Sequence, residues 1–428
     1  MKVLGIADSD SYVKWGAAVL DRMPAEWSRS LTVVRTPALL SDSQLSAALT
    51  GTQFTADQTP VVDLADLAEL VAREQPDVVL LSVRGPVVRV LVRMIVAAAP
   101  RRPVIVSGLP GISIPETLNA LYYRSQVDLF LLHSKREIRA FAALAAELGI
   151  GQTFGLGTLP FLPARRSDSE IGGAVGTDIL FAAQAKVPRA LEDRVALLGW
   201  LVETARQHPN ERVVVKLRGR AGEAQTHSER YPFDELLDQF DDVPDNLVVS
   251  TGPMSEHLRA SAALVTVSST AALEAVAAGI PVLALDDFGV TGKLINVVFE
   301  GSGMLGGADD LIAGRFRQPA EAWLDDNYFH APTDDDWVDQ IIAAVARREA
   351  GELPLRPQFR GSLGGNLRRV WDRKRALGPY DTSLSGSLAL AVGLPLRGLV
   401  RSYRRLRARM GRTAEAHEPV AGRYTIER

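Results

Sequence analysis

The chain of 428 residues contains no cysteine. Disulfides, thiolate zinc sites, iron–sulfur clusters and cysteine nucleophiles are thereby excluded. Histidine is scarce. His133, His208, His227, His257, His330 and His417 are scattered, without the spacing of metal ligands, so no metal site is expected. No apolar run approaches the ~18 residues that span a bilayer. A short strand follows Met1 directly, with no basic and then apolar leader, so a cytoplasmic protein without a secretory signal is expected. Charge of one sign is also lacking. With 48 basic and 51 acidic residues the net charge is −3, which argues against a general nucleic-acid binder. Lysine is rare, at seven of the 48 basic residues, so a lysine inside a strand stands out.

What is present is an ordinary globular composition, 46% hydrophobic and 23% charged, in a chain long enough for two large domains. Short apolar segments without strict alternation recur between helical patterns: strands at residues 3–7, 31–35, 77–83, 103–107 and 127–132, and helices at 13–23, 64–74, 88–98, 117–124 and 136–148. Residues 36–60 read as polar and irregular. Such a series predicts a parallel sheet covered on both faces. After a Gly/Ser/Arg-containing linker at 163–177 the series starts again, with strands at 178–182, 212–217, 246–250, 263–267 and 281–285. The expected organisation is a first Rossmann-like domain (1–162), a linker (163–177), a second Rossmann-like domain (178–335), closing helices (336–380) and a basic amphipathic tail (381–428). Two Rossmann-like halves with closing helices define the α/β GT-B architecture, whose ligands sit between the domains.

The most informative segment runs from Ala263 to Leu285. A strand ends in Ser268-Ser269-Thr270, a helix starts at once, Glu274 lies one turn in, and Gly279-Ile280-Pro281 opens the next strand. Three hydroxyls and the free N–H groups of the helix start suit a phosphate. Ordinary helix capping is the alternative. A second segment, Val213-Val214-Val215-Lys216-Leu217-Arg218-Gly219, places Lys216 and Arg218 at the carboxyl end of a strand on one side. There they contact a phosphate or face water as strand-edge charges. Gln184, Gly252 and Pro253 lie in loops that follow strands of the same half.

In the first half, Asp8 and Asp10 end the first strand. Each is a candidate general base toward an acceptor hydroxyl, or a helix cap. The loop containing Gly108, Pro110 and Gly111 is a candidate acceptor contact. Arg84, Arg124 and His133 lie at or near strand ends and read as structural. The tail carries seven arginines and no acid between residues 397 and 412. It fits an anionic membrane surface better than nucleic acid, because Tyr403 is the one aromatic in that stretch.

The Ser268–Pro281 block resembles the nucleotide-phosphate motif of GT-B glycosyltransferases, above all the bacterial sialyl-, polysialyl- and capsule-polysaccharide transferases. Similar segments occur in teichoic acid glycerophosphotransferases and UDP-GlcNAc 2-epimerases. Over roughly residues 1–375 the chain resembles an actinobacterial glycosyltransferase family. The resemblance implies a metal-independent, inverting glycosyltransferase with no cofactor beyond its nucleotide-sugar co-substrate. It also implies a CMP-nonulosonic acid as donor and a cell-envelope glycan, free or lipid-linked, as acceptor. The first domain (1–162) would take the acceptor and the second (178–335) the donor, held by Lys216, Arg218, Ser268, Ser269, Thr270, Glu274, Gln184, Gly252 and Pro253, with Leu217-Arg218-Gly219 in place of the relatives' His-Pro pair and Arg218 taking over its phosphate contact. A sugar-nucleotide 2-epimerase and a degenerate, non-catalytic binding or assembly protein are the alternatives on the same architecture.

Overall fold

The computed structural model describes residues 1–38, 40–162, 176–217, 229–357, 365–389 and 391. Most of the expected linker, Arg218 and the arginine-rich tail therefore lie outside the described residues.

The first half comprises β1 (Lys2–Ala7), α1 (Asp10–Asp21), β2 (Ser28–Val34), α2 (Asp42–Leu49), β3 (Val61–Val62), α3 (Leu64–Glu74), β4 (Val78–Ser82), α4 (Gly85–Ala98), β5 (Val104–Gly108), α5 (Leu118–Arg124), β6 (Leu129–Leu132), α6 (Lys135–Glu147) and β7 (Phe154–Leu156). Its seven strands are parallel in the order β3-β2-β1-β4-β5-β6-β7. The second half comprises β8 (Asp178–Ala182), α7 (Leu191–Gln207), β9 (Val213–Lys216), α8 (Phe233–Leu237), β10 (Leu247–Ser250), α9 (Met254–Ala260), β11 (Ser261–Thr266), α10 (Ala271–Ala277), β12 (Val282–Leu285), β13 (Leu305–Gly306), α11 (Ala308–Ile312) and α12 (Glu321–Asp326). Its six strands are parallel in the order β10-β9-β8-β11-β12-β13. α13 (Trp337–Glu349) and α14 (Gly365–Leu377) follow. This is the two-sheet Rossmann-like GT-B architecture with C-terminal helices.

Alternate residues of each strand feed opposite layers, as the pleat requires. Val3 and Ala7 of β1 join Trp15, Leu20 and Leu31 on one face, while Leu4 and Ile6 join Leu67, Val88 and Phe130 on the other. Both faces are apolar, so the strands read as unbroken hydrophobic runs. α13 returns to the first sheet, where Trp337 and Ile341 enter the same core as Trp15. The crossing is pinned by Asp336, which accepts from the Leu156 N–H at 2.7 Å, and by Asp335, which accepts from the Thr158 N–H at 2.8 Å.

Three sequence expectations change. Residues 36–60 contain helix α2, whose Ser41 and Gln44 close a capping box; the short helix has only three buried residues, and its apolar pattern is correspondingly faint. α1 begins at Asp10 and not near Val13, and its N-cap is Ser9, so neither aspartate caps it. The first sheet gains two short edge strands, β3 and β7, of two and three residues. These are too short to show a pattern of their own.

Candidate functional site

In each sheet the strand order reverses once, between β1 and β4 and between β8 and β11. Ligands of open α/β sheets bind beyond the carboxyl ends of strands at such points. A side-chain pair spans each one. At the first, Asp8 follows β1, is fully buried, and accepts from Arg84 Nε at 2.8 Å and the Arg84 N–H at 3.1 Å. Ser9 Oγ adds a third donor at 3.1 Å. Burial pushes the Asp8 carboxyl above its ordinary value, and the Arg84 guanidinium pulls it back. A carboxylate saturated in this way is shut off from an acceptor. Asp10, by contrast, is exposed at the start of α1.

At the second reversal the pair is neutral. Gln184 follows β8, and its Oε1 accepts from the Ser268 N–H at 3.0 Å and Ser268 Oγ at 3.2 Å. The turn after β11 is further fixed by the Ser269 N–H on Thr266 Oγ1 at 3.1 Å and the Ala271 N–H on Ser269 Oγ at 3.2 Å. Ser269 thus does some local capping, whereas Thr270, the N-cap residue, makes no side-chain cap bond and stays exposed. Lys216, the last residue of β9, is only 7% exposed, which removes the reading of a water-facing strand-edge charge.

Lys216 and Lys14, the latter on α1 of the first half, both act electrostatically on Glu274 of α10. Burial pushes the Glu274 carboxyl up and the two ammonium groups draw it down. Lys14 also lies 4.9 Å above the Phe161 ring. Two cations from opposite halves therefore converge on one half-buried acid beside the Ser268–Thr270 turn. Across the gap, a methyl group placed on Gly111 would rest 3.7 Å from Thr270 Cγ2. The structure thus brings Lys216, Ser268, Ser269, Thr270, Glu274 and Gln184 to one crevice, with Gly111 opposite. Lys14 was not anticipated from sequence, although it lies four residues beyond Asp10 on the same helix face and is one of seven lysines. Gly252 and Pro253 lie exposed after β10, where Pro253 precedes α9.

The Gly108 loop divides. Gly108 is buried at the end of β5, and a Cβ there would lie 2.3 Å from Trp15 Cζ2 and 2.9 Å from the Leu131 carbonyl. Its small size serves packing, not acceptor contact. Pro110 and Gly111 stay partly exposed. Beyond them Ile114 enters the core of the second half with Leu159, Leu180 and Leu273. The Ser113 N–H donates to Glu137 Oε1 at 2.8 Å.

That glutamate, on α6, is wholly buried and also accepts from Tyr328 Oη of the second half at 2.5 Å and the His133 N–H at 2.9 Å. Burial raises its pKa against the pull of these donors. Around it, Lys135 pairs with Asp325 and Asp334 at 2.8 and 2.7 Å, and Arg139 forks onto Asp326 with two bonds of 2.7 Å. Arg136 reaches the carbonyls of Val297 and Val298. α6 is thus the seam between the halves. His133 and Arg124 are structural, as expected. His133 Nε2 accepts from Trp15 Nε1 at 2.7 Å while its Nδ1 faces the Gly157 carbonyl at 2.7 Å. Burial lowers its pKa to about 4. Arg124 Nε donates to the Gly108 carbonyl at 3.1 Å.

Among the described residues, no group of three or more His, Asp or Glu is placed to hold a metal ion, and no helix is long and apolar enough to cross a membrane.

Two Rossmann-like sheets facing one crevice place the protein in the GT-B class. The chain belongs to the family described as "Putative glycosyltransferase (DUF6716)", which matches residues 3–344. No curated protein matches it. Among solved structures, it is similar to a "putative UDP-N-acetylglucosamine 2-epimerase" from Listeria monocytogenes. That likeness has a TM-score of 0.52 at 15% identity and covers 84% of this chain and 99% of that one. It is also similar to the UDP-GlcNAc 2-epimerase from Neisseria meningitidis bound to UDP-GlcNAc, with a TM-score of 0.50 at 12% identity over 80% of this chain and 100% of that one. At these identities the likeness concerns the fold.

Proposed function

We propose that the protein is an enzyme of nucleotide-sugar chemistry and that the crevice between its halves binds the donor phosphate. The observation that carries this reading is the convergence of Lys14 and Lys216 on Glu274 beside the Ser268–Thr270 turn. Burial pushes the Glu274 carboxyl up, and two ammonium groups act on it beside the Ser269 and Thr270 hydroxyls. A phosphate would accept from those ammonium groups and hydroxyls. Arg218, two residues beyond Lys216, would add a bidentate contact.

For the reaction, we read sugar transfer with inversion. An acceptor hydroxyl attacks the anomeric carbon, the bond from that carbon to the phosphate oxygen breaks, and the bonding pair leaves on the phosphate. The hydroxyl proton passes to Asp10, the exposed carboxylate that follows β1. Transfer needs one such base, and the family description agrees with transfer. Lys14 and Lys216 would steady the leaving phosphate without a metal. Pro110 and Gly111 would border the acceptor, taken as a cell-envelope glycan. Gly252 and Pro253 would border the nucleotide, which is CMP by resemblance. The arginine-rich tail would rest on the inner membrane face.

The second reading is epimerisation at C2 of the sugar while it stays on its nucleotide. It is favoured by the fold likenesses, which are to UDP-GlcNAc 2-epimerases, and it makes UDP the first nucleotide to test.

Melting temperature in the presence of UDP, CMP, GDP or TDP tests the shared premise. A ligand at a hundredfold excess over its Kd adds about 2.7 kcal/mol to the native state. No rise with any of the four rejects the nucleotide site. Incubating the cognate nucleotide sugar in D2O without acceptor then separates the reactions. Deuterium at C2 identifies the epimerase; an unlabelled sugar that moves only when acceptor is added identifies the transferase.

A further inference from the structure

Away from the crevice, α14 packs on α4 and leaves a groove of about 270 Å³ lined by Leu64, Val90, Met94 and Val370 with Arg93, Arg369 and Arg373. The helix carries five cations (Arg368, Arg369, Arg373, Lys374 and Arg375) and one acid, Asp372, in 13 residues. Its net charge is thus +4 within a chain of net charge −3. Asp372 faces Arg89 at 3.9 Å and Arg373 is paired with Asp381 at 3.0 Å, whereas Arg368 and Arg369 are exposed and have no acidic partner among the described residues. Arg93 feels the like charges of Arg89 and Arg369, which together with burial lower its pKa.

Large apolar side chains stand out on the same part of the molecule. Leu367 on α14 is 71% exposed. The helical segment 384–389 starts beside α14, where Arg373 donates to Ser383 Oγ and, at 3.4 Å, to Ser385 Oγ. On it, Leu384 and Leu388 share one face at 84% and 68% exposure. Exposed leucines beside unpaired arginines, over an aliphatic groove, combine apolar insertion with attraction to anions.

We infer that the α4–α14 groove and the adjoining leucines form a docking surface for an anionic lipid bilayer, with headgroup phosphates against Arg368 and Arg369 and acyl chain in the groove. Charge complementarity selects this occupant. The tail segment 397–412, with seven arginines and no acid, has the same sign of charge as the groove, and so has a second copy of α14. The groove's aliphatic walls suit an acyl chain and offer no stacking face to a nucleic-acid base.

The absence of cysteine permits a clean test on the full chain. L367C and L384C, each labelled with an environment-sensitive nitrobenzoxadiazole dye, are mixed with vesicles of phosphatidylglycerol, vesicles of phosphatidylcholine, inorganic phosphate or duplex DNA. The expected result is a blue-shifted, brighter emission at both positions with phosphatidylglycerol alone. R368Q/R369Q in the labelled chains should weaken vesicle affinity about 25-fold, from roughly fivefold per arginine. Both arginines are exposed, so the variant should keep its melting temperature. Three results overturn the inference: dyes that stay in water while the chain sediments with vesicles, an affinity indifferent to the two arginines, or an equal response to phosphate or DNA.

Discussion

Replacing Glu137 by glutamine tests the seam between the two halves. In the wild-type chain, Oε1 accepts from the Ser113 N–H and Tyr328 Oη, and Oε2 accepts from the His133 N–H. A glutamine has one acceptor oxygen. If it serves Ser113 and Tyr328, its amide faces the His133 N–H, and two buried donors, that N–H and the new amide, are left without acceptors. At about 1–3 kcal/mol for each unsatisfied buried group, E137Q should cost roughly 2–6 kcal/mol. Y328F removes one bond to the carboxyl and should cost about 1.5–3 kcal/mol. Urea unfolding followed by tryptophan fluorescence measures both; a single transition that splits in two would show the halves separating. The pH dependence gives a second check. Burial raises the Glu137 pKa, so its contribution is complete below the unfolded value of 4.5 and falls away as pH rises through the folded value. The deficit of E137Q relative to wild type should therefore be largest in mild acid and narrow toward neutral pH. An unchanged midpoint in E137Q, or a deficit that widens with rising pH, would refute the argument.

K216A and K14A should each weaken binding of the nucleotide that raises the melting temperature by about tenfold or more, as expected for loss of a charge-assisted bond to phosphate; titration calorimetry would show it. G108A should cost about 1–3 kcal/mol of stability through overpacking against Trp15, seen as a lower urea midpoint, without changing nucleotide affinity in the same chain. His133, with its pKa lowered to about 4, should show no imidazole titration by NMR between pH 5.5 and 8. Because the unfolded ring binds its proton near 6.5, stability should fall as pH drops from 6.5 toward 4, by roughly 3 kcal/mol in all.

Much of the architecture is readable in the residues themselves. Buried parallel strands must be apolar throughout, so runs such as Val78–Ser82 and Val213–Lys216 announce themselves. The strand-end chemistry at Lys216 and Ser268–Thr270 is visible because polar groups interrupt those runs at their carboxyl ends. Pairings across the fold are not. Nothing local tells that Arg84, 76 residues away, closes over Asp8, or that Tyr328 reaches Glu137 across 191 residues. Gly108 and Gly111 look alike in one loop, yet Trp15 crowds the first and leaves the second open. Lys14 sits in an ordinary amphipathic helix, and the second half alone gives it Glu274 to face. The Ser134-x-x-Glu137 spacing at the start of α6 is a capping pattern in sequence, and Ser134 Oγ does accept from the Glu137 N–H at 3.1 Å. Its carboxyl reaches back to the His133 N–H, beside the cap, and also takes Ser113 and Tyr328 from distant segments.

The bridge at α6 has a mechanical implication. Lys135, Arg136, Glu137 and Arg139 are consecutive or near-consecutive residues of one helix, and each grips the opposite half. Four of the fasteners found among the described residues thus sit within five residues of one rigid helix. Loss of any one of them leaves the others holding the same helix to the second half.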